Sequence, residues 1–420
     1  MVNVKQAFRR RPWLFVIIII YTAGMIAISI PKSKEITEDS DHWAVWQAGK
    51  DFSEGKELYY REKIRPYYYP PFSAFLWQPM HAMPLQVSAL ILFLLNALVL
   101  LPLSIYLIYQ TLMNIGVSAK RAELVLILAT IFTLKYFWNN LVMFQINYII
   151  LVFILAGLYF LSKKKPHIAG ILFTLITFIK IIPVFLAFYV LFYHFSRKVV
   201  VAMILTSILC LTIPMSTRGW SMWIQDHVDN YEILVKQYIL EGRIVADRAN
   251  HSLKAGFVKT FYPETRDNEN VSPDDYAGIN RVLTILQVLM LLTLIFNAIL
   301  LKRRKRYFSL AYLASIIIFT HLFAGITWTA HLVTLIFCLI PVLLIEVKSL
   351  NNPGKIAFWA FIALMVLLGI EGSDTVGEKV YLAIRFYDIY TYLLLGLFVF
   401  YSWLVIEKRS TSLYEEGVLI

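Results

Sequence analysis

An acidic run, Asp39-Ser40-Asp41-His42, stands shortly after the first long apolar stretch of the chain, residues 13–30. A carboxylate at such a water–lipid boundary becomes basic enough to accept protons when partial burial raises its pKa toward the working pH. Asp41 is therefore the candidate general base: it could take the proton from a hydroxyl group while that oxygen attacks a carbon centre.

The same run has two simpler interpretations. Trp43, Trp46 and Gly49 recur at helical spacing, which predicts a short interfacial helix that begins at Asp41, with Ser40 or Asp41 as its N-cap. Capping and catalysis are compatible, because a cap also holds the carboxylate in place. Asp39-Ser40-Asp41 is also a D-x-D pattern that can bind a divalent cation. Three residues are weak evidence, and we rank a metal site below the general base.

Polar residues near the ends of other apolar runs are candidate partners of Asp41. Lys180 lies three residues before Pro183, and a lysine at the membrane boundary is costly enough to suggest a phosphate ligand. His331 could hydrogen-bond a hydroxyl group or, when protonated, pair with phosphate. The structural alternatives are a snorkelling lysine and a histidine that satisfies a local carbonyl.

Aromatic and amide residues complete this set. Tyr67-Tyr68-Tyr69-Pro70-Pro71-Phe72 is a stiff aromatic stretch whose tyrosines could stack on sugar rings or form an ordinary interfacial belt. The candidate substrate-binding residues are His331, Lys180, Gln145, Asn147, Tyr69, Asn250 and Trp328.

Composition identifies the protein class. Of 420 residues, 59% are hydrophobic and 16% are charged, a balance that requires lipid as solvent. The net charge of +12 comes largely from clusters at the ends of apolar runs, such as Lys163-Lys164-Lys165 and Lys302 to Arg306. This is the positive-inside pattern, with contact to anionic lipid headgroups, and it argues against a nucleic-acid partner.

The apolar runs predict an all-α polytopic membrane protein, one integral domain over residues 1–420. Twelve runs are long enough to count as spans: 13–30, 85–109, 122–138, 148–162, 167–182, 184–195, 199–213, 279–300, 307–324, 326–346, 356–370 and 386–406. Arg9-Arg10-Arg11 places the amino terminus in the cytoplasm, and alternation then places both termini there. Residues 31–84, with Asp41, and 214–278 become outer loops with short interfacial helices. Residues 167–195 are interpreted as two short helices that meet near Lys180 and Pro183, where the proline ends one of them.

Taken in order, these motifs resemble glycosyltransferase family 87, within the C-type glycosyltransferase superfold. The resemblance extends over about residues 39–335. Its motifs are Asp41-His42-Trp43, Gly55 to Tyr59, Tyr69-Pro70-Pro71, Gln145-Ile146-Asn147, Ala169-Gly170 with Lys180 and Pro183, Asn250-His251-Ser252-Leu253, and Ile326-Thr327-Trp328 with His331. The chain departs from the family at Ala324-Gly325, where Ser-Pro is frequent, at Phe144, where Gly is common, and at His251, where Gln is common. A single His331 also replaces a histidine pair.

The resemblance implies an inverting membrane glycosyltransferase that moves a sugar, usually mannose, from a polyprenyl-phosphate donor to the hydroxyl of a lipid or glycan acceptor. It assigns Asp41 as the base and His331 to the donor side. The expected active site faces the outer side of a multi-pass protein in the cell membrane, with no cofactor and no divalent metal. The alternative is a transporter or flippase of a lipid-linked sugar, although the internal repeats typical of transporters are not visible.

Overall fold

The computed structural model describes residues 12–59, 67–266, 271, 276–347 and 350–406. This part of the chain is helical, without β-strands; only two isolated bridges occur, Ile244 with Val271 and Asn250 with Trp328. The all-α prediction is thereby confirmed for the described residues.

The α-helices follow the apolar runs closely. In chain order they are α1 (Pro12–Lys34), α2 (Asp41–Ser53), α3 (Pro71–His81), α4 (Leu85–Asn114), α5 (Ala119–Val142), α6 (Asn147–Ser162), α7 (Pro166–Ile179), α8 (Val184–Tyr193), α9 (Arg197–Arg218), α10 (Trp220–Asn230), α11 (Leu253–Phe261), α12 (Ala277–Arg303), α13 (Leu310–Phe323), α14 (Leu335–Cys338), α15 (Ile340–Leu343), α16 (Asn352–Ile370), α17 (Ser373–Val376), α18 (Glu378–Phe386) and α19 (Ile389–Ile406). A π-helix at Tyr231–Leu240 and 3₁₀ turns at Pro263–Thr265 and Thr329–Thr334 complete the list.

Among the described helices, six are long and apolar enough to cross a membrane: α4, α5, α9, α12, α16 and α19. The apolar helices α6, α7, α8 and α13 are shorter, and so is the segment Thr329–Leu343. The chain is therefore a membrane protein by these criteria. The number of twelve spans and the side of the membrane on which each connection lies stay predictions.

Two local predictions were wrong. Residues 326–346 do not form one regular span: the 3₁₀ turn Thr329–Thr334 is followed by α14 and α15, and Pro341 lies in the first turn of α15. The segment is buried from Thr329 to Leu344, so protein groups rather than lipid surround this irregular backbone. Pro183 does not end a helix either. Helix α7 ends at Ile179, and Pro183 is the N-cap of α8.

Helix α2 begins where the sequence predicted. Ser40 has an extended backbone, and its hydroxyl accepts a hydrogen bond from the Trp43 amide at 3.2 Å. Ser40 is thus the N-cap, and the Asp41 carboxylate is left for other partners. The position of α2 is fixed by close packing on α3, since a Cβ at Gly49 would lie 2.6 Å from the Trp77 carbonyl oxygen.

Helix α4 changes to π geometry at Asn96–Leu100, just before Pro102. Proline has no amide hydrogen and clashes with the preceding turn, so the helix must widen there. The widened turn contains the buried Asn96, whose Nδ2 donates to the Gln145 carbonyl oxygen at 3.0 Å. This bond connects α4 to the segment between α5 and α6.

Candidate functional site

The Asp41 carboxylate is bonded to a residue more than one hundred positions away in the sequence. Gln145, in the connection between α5 and α6, donates from Nε2 to Asp41 Oδ2. Asp41 is half-buried and Gln145 is buried. The first turn of α2 therefore meets the α5–α6 connection at the candidate base.

A row of hydrogen bonds continues from Gln145 to Lys180. Asn147 Nδ2 donates to Gln145 Oε1 at 3.2 Å, and Lys180 Nζ donates to Asn147 Oδ1 at 2.9 Å. Ammonium groups only donate and carboxylates only accept, so the two ends of the row fix the orientation of both amides between them. Asp41 and Lys180 are therefore joined by a directed chain of amides.

Lys180 also contacts His331. Its Nζ lies 3.0 Å from His331 Nε2, and because the ammonium donates, this nitrogen must accept. The Nδ1 atom of His331 is then the protonated one, and it is buried without a hydrogen-bond partner among the described residues. Asp41, Gln145, Asn147, Lys180 and His331 form one hydrogen-bonded set, which we call the polar row.

Lys180 lies in the break between α7 and α8, with an extended backbone and only 8% of the residue exposed. Its Nζ stands 5.5 Å from the centre of the Tyr69 ring, a cation–π distance. Tyr69 is fixed through its carbonyl oxygen, which accepts from Tyr59 Oη at 2.6 Å and from Asn230 Nδ2 at 3.2 Å. The aromatic residue predicted at the site is thus beside the cation.

A small cavity of about 30 Å³ adjoins the polar row. Its polar lining residues are Asn147, Lys180, Thr320, His321, His331 and Thr334. Its apolar lining residues are Ile150, Ile154, Ile182, Pro183, Leu186 and Ile317. The cavity as shaped holds roughly one or two water molecules. The lining nevertheless combines aliphatic side chains with an amine in one cavity.

Asn250 and Trp328 lie outside the polar row. Asn250 Nδ2 donates to the Val245 and Gly325 carbonyl oxygens at 2.9 and 3.1 Å, and its Oδ1 accepts from the Thr327 amide at 2.8 Å. Trp328 pairs with Asn250 in an isolated bridge and precedes the 3₁₀ turn that contains His331. These contacts favour a role in holding that turn over the predicted contact with substrate.

The structure also contains a largely buried cluster of charged and histidine residues, of which the sequence reasoning singled out only His251. We call it the C-terminal network; its members are Lys135, His251, Lys259, Glu371, Arg385 and Asp388. Glu371 accepts from Lys135 Nζ and from Arg385 Nε, each at 2.6 Å, and also from the Tyr390 hydroxyl. Lys135 and Glu371 interrupt or end apolar runs, which is the signal that could have identified them.

Asp388 pairs with two groups. His251 Nδ1 and Lys259 Nζ lie 2.7 and 3.0 Å from its two oxygens. Burial would raise the pKa of this carboxyl, but the two partners outweigh that effect and hold the pKa below its usual value. Burial lowers the pKa of His251 to about 4, against the opposing effect of Asp388. His251 is thus neutral at physiological pH, and it donates from Nδ1.

Metal ligands are not grouped anywhere in the described part of the chain: no three His, Cys, Asp or Glu side chains lie close enough to share an ion. At the polar row, the group suited to an anionic ligand is the Lys180 amine.

Comparison with known proteins identifies a family. The sequence model of glycosyltransferase family 87 matches residues 67–324, which is more than half of the chain. No curated protein and no solved structure gives a significant match. The matched region contains Tyr69, Gln145, Asn147, Lys180 and Asn250, whereas Asp41, Trp328 and His331 lie outside it.

Proposed function

The chain belongs to glycosyltransferase family 87, and from this premise we propose that it transfers a sugar, mannose by the family resemblance, from a polyprenyl-phosphate donor to an acceptor hydroxyl. The observation that supports this proposal is the polar row, which connects a carboxylate at one end to a buried amine and an imidazole at the other. A base and an anion-binding group are what such a transfer requires.

In the proposed reaction, the acceptor oxygen attacks the anomeric carbon as Asp41 takes the hydroxyl proton. The bond between that carbon and the phosphate oxygen breaks, and its electron pair leaves with the polyprenyl phosphate. Attack from the face opposite to the phosphate inverts the anomeric configuration. The leaving phosphate gains negative charge, which the Lys180 amine stabilises in a buried setting where charge interactions are strong.

The lining of the adjoining cavity supports a lipid-linked donor. Aliphatic residues such as Ile150, Ile154 and Leu186 line the same cavity as Lys180, so a phosphate bound to the amine could continue into an apolar chain. The cavity must widen to admit that chain. A lipid or glycan acceptor would approach Asp41, which is half-buried. We place the reaction on the outer side of the membrane, as the positive-inside pattern predicts.

The test is Asp41→Asn, which keeps the shape and removes the base. We expect loss of transfer from a polyprenyl-phosphate sugar by about 10²- to 10⁴-fold in kcat, with insertion and donor binding retained. Asp39→Asn is the matched control, because Asp39 is exposed and bonds Thr37. An Asp41→Asn protein that transfers sugar at the normal rate would refute the assignment of the base.

A further inference from the structure

The C-terminal network is largely buried, and the proposed reaction does not use it. The side chains of His251, Lys259, Glu371 and Asp388 are 0% exposed. Burying so many charges is costly unless each is paired and hydrogen-bonded. Glu371, Arg385 and Asp388 also follow the end of the family match at residue 324. The position of this cluster therefore needs its own explanation.

Thr329 connects the network to the polar row. Arg385 Nη1 donates to Thr329 Oγ1 at 2.9 Å, and His251 Nε2 lies 3.0 Å from the same oxygen. A guanidinium cannot accept, so the Thr329 hydroxyl accepts from Arg385 and is free to donate to His251. The neutral His251 then donates from Nδ1 to Asp388 at 2.7 Å. Each hydrogen bond from Arg385 through Thr329 and His251 to Asp388 therefore has an assigned donor and acceptor.

Thr329 also begins the 3₁₀ turn that contains His331. Thr329 is the first residue of that turn, and the His331 amide donates to the Trp328 carbonyl oxygen at 2.8 Å. On the preceding side, the His251 amide donates to the Thr327 carbonyl oxygen at 2.8 Å. The backbone and the side chain of His251 thus hold the segment immediately before His331.

Further buried contacts fix the positions of Arg385 and His251. Glu371 accepts from Arg385 Nε at 2.6 Å, and Lys259 Nζ donates to the Asn250 carbonyl oxygen at 2.7 Å while pairing with Asp388. Neither Arg385 nor His251 can turn away from Thr329 without breaking a buried charge pair or leaving a buried polar group unsatisfied, and either change is unfavourable.

We propose that Arg385, Asp388 and His251 are positioning residues for the transfer reaction, which hold the turn containing His331 against Lys180 through the Thr329 hydroxyl. This inference rests on the proposed function, because it gives His331 its role at the donor. None of the three residues contacts Lys180. Their effect on turnover passes through the placement of the His331 imidazole.

His251→Ala and His251→Gln form the informative pair of variants. Alanine removes the side-chain contacts with Asp388, Thr329 and Arg385. It leaves Asp388 paired with Lys259 and Arg385 paired with Glu371, so no charge loses its last partner. Glutamine offers an amide N–H for Asp388 and a carbonyl oxygen for Thr329, the same donor and acceptor that neutral His251 presents. Arg385→Gln is a second, independent variant on the other side of Thr329.

Two measurements test the coupling. In hydrogen–deuterium exchange, His251→Ala should speed exchange over residues 325–334, whereas His251→Gln should resemble the natural protein. In the transfer assay, His251→Ala should lower the donor kcat/KM by about 10- to 100-fold, with the acceptor KM unchanged and with partial recovery in His251→Gln. Unchanged exchange over 325–334 in both His251→Ala and Arg385→Gln would overturn the proposal.

A double-mutant cycle separates positioning from general stability. If His251 acts through His331, His251→Ala should cause less than a twofold further loss in a His331→Ala background. Fully additive losses, or a His331→Ala protein with normal turnover, would overturn the proposal. A different outcome would refute only the proposed function: the variants change exchange over residues 325–334, but the natural protein transfers no polyprenyl-phosphate sugar. The structural coupling would then still hold.

Discussion

Replacement of Lys180 by methionine should separate activity from stability. Methionine has a similar length but carries no charge and no donor. In the natural protein, Lys180 Nζ donates to Asn147 and His331 and lies near the Tyr69 ring. The ion pairs of the described residues do not include Lys180, although Asp41 acts on it electrostatically.

The magnitudes follow from these contacts. Loss of a buried charge that pairs with the donor phosphate costs about 2–5 kcal/mol of transition-state stabilisation, so the donor kcat/KM should fall by roughly 30- to 5,000-fold. For the protein without donor, the variant leaves two buried acceptors without a donor, at about 1–3 kcal/mol each. The variant also avoids the cost of burying an ammonium group away from water, which is several kcal/mol and favours the folded variant. These two effects oppose each other, and we expect a melting temperature within roughly 5 °C of the natural protein.

The assay varies a polyprenyl-phosphate sugar at a saturating acceptor concentration, with protein in detergent. Lys163→Met is the matched control: this exposed lysine also lies over a tyrosine, with Nζ 5.1 Å from the Tyr159 ring, but outside the polar row. It should retain full turnover. A folded Lys180→Met protein with a donor kcat/KM within threefold of normal would show that the amine does not bind the phosphate.

Two further predictions concern packing and pH. Gly49→Ala should lower stability by about 1–3 kcal/mol and reduce turnover, because its Cβ would lie 2.6 Å from the Trp77 carbonyl oxygen on α3. Gly369→Ala, with nothing within 4 Å of its Cβ, is the control, and an equal loss in both variants would contradict the packing argument. Burial lowers the pKa of His251 from 6.5 to about 4, so below pH 6.5 the unfolded chain binds a proton that the folded chain does not. The contribution of the neutral His251 side chain to the free energy of unfolding is present above pH 6.5 and is lost as the pH falls toward 4. In thermal melts over this range, His251→Gln should therefore lose stability less steeply, by on the order of 1 kcal/mol per pH unit; parallel curves would contradict the assignment.

The sequence by itself determined the class of the protein and much of its helical pattern. Continuous apolar runs require helices in lipid, because only a helix satisfies its own backbone within one segment. The run from Asp39 to Trp43 likewise predicted the start of α2, since an N-cap and an amphipathic pattern are local properties. Gln145, Lys180 and His331 were identified as candidates because polar groups near apolar runs are costly and therefore noticeable, and Tyr69 because it stands in a stiff aromatic stretch.

Only the tertiary structure decided which of these residues meet. Asp41, Gln145 and Lys180 are far apart in the sequence, and no local rule specifies the hydrogen bonds between them. The irregular turn at Thr329–Thr334 could not be predicted from the sequence either. Because it is buried within the protein, other protein groups can form hydrogen bonds with its backbone, which lipid could not do. Arg385 and Asp388 are ordinary charged residues until the fold buries them beside His251. Hydrophobicity is a property of each segment, whereas the partners of a buried charge depend on how the helices pack.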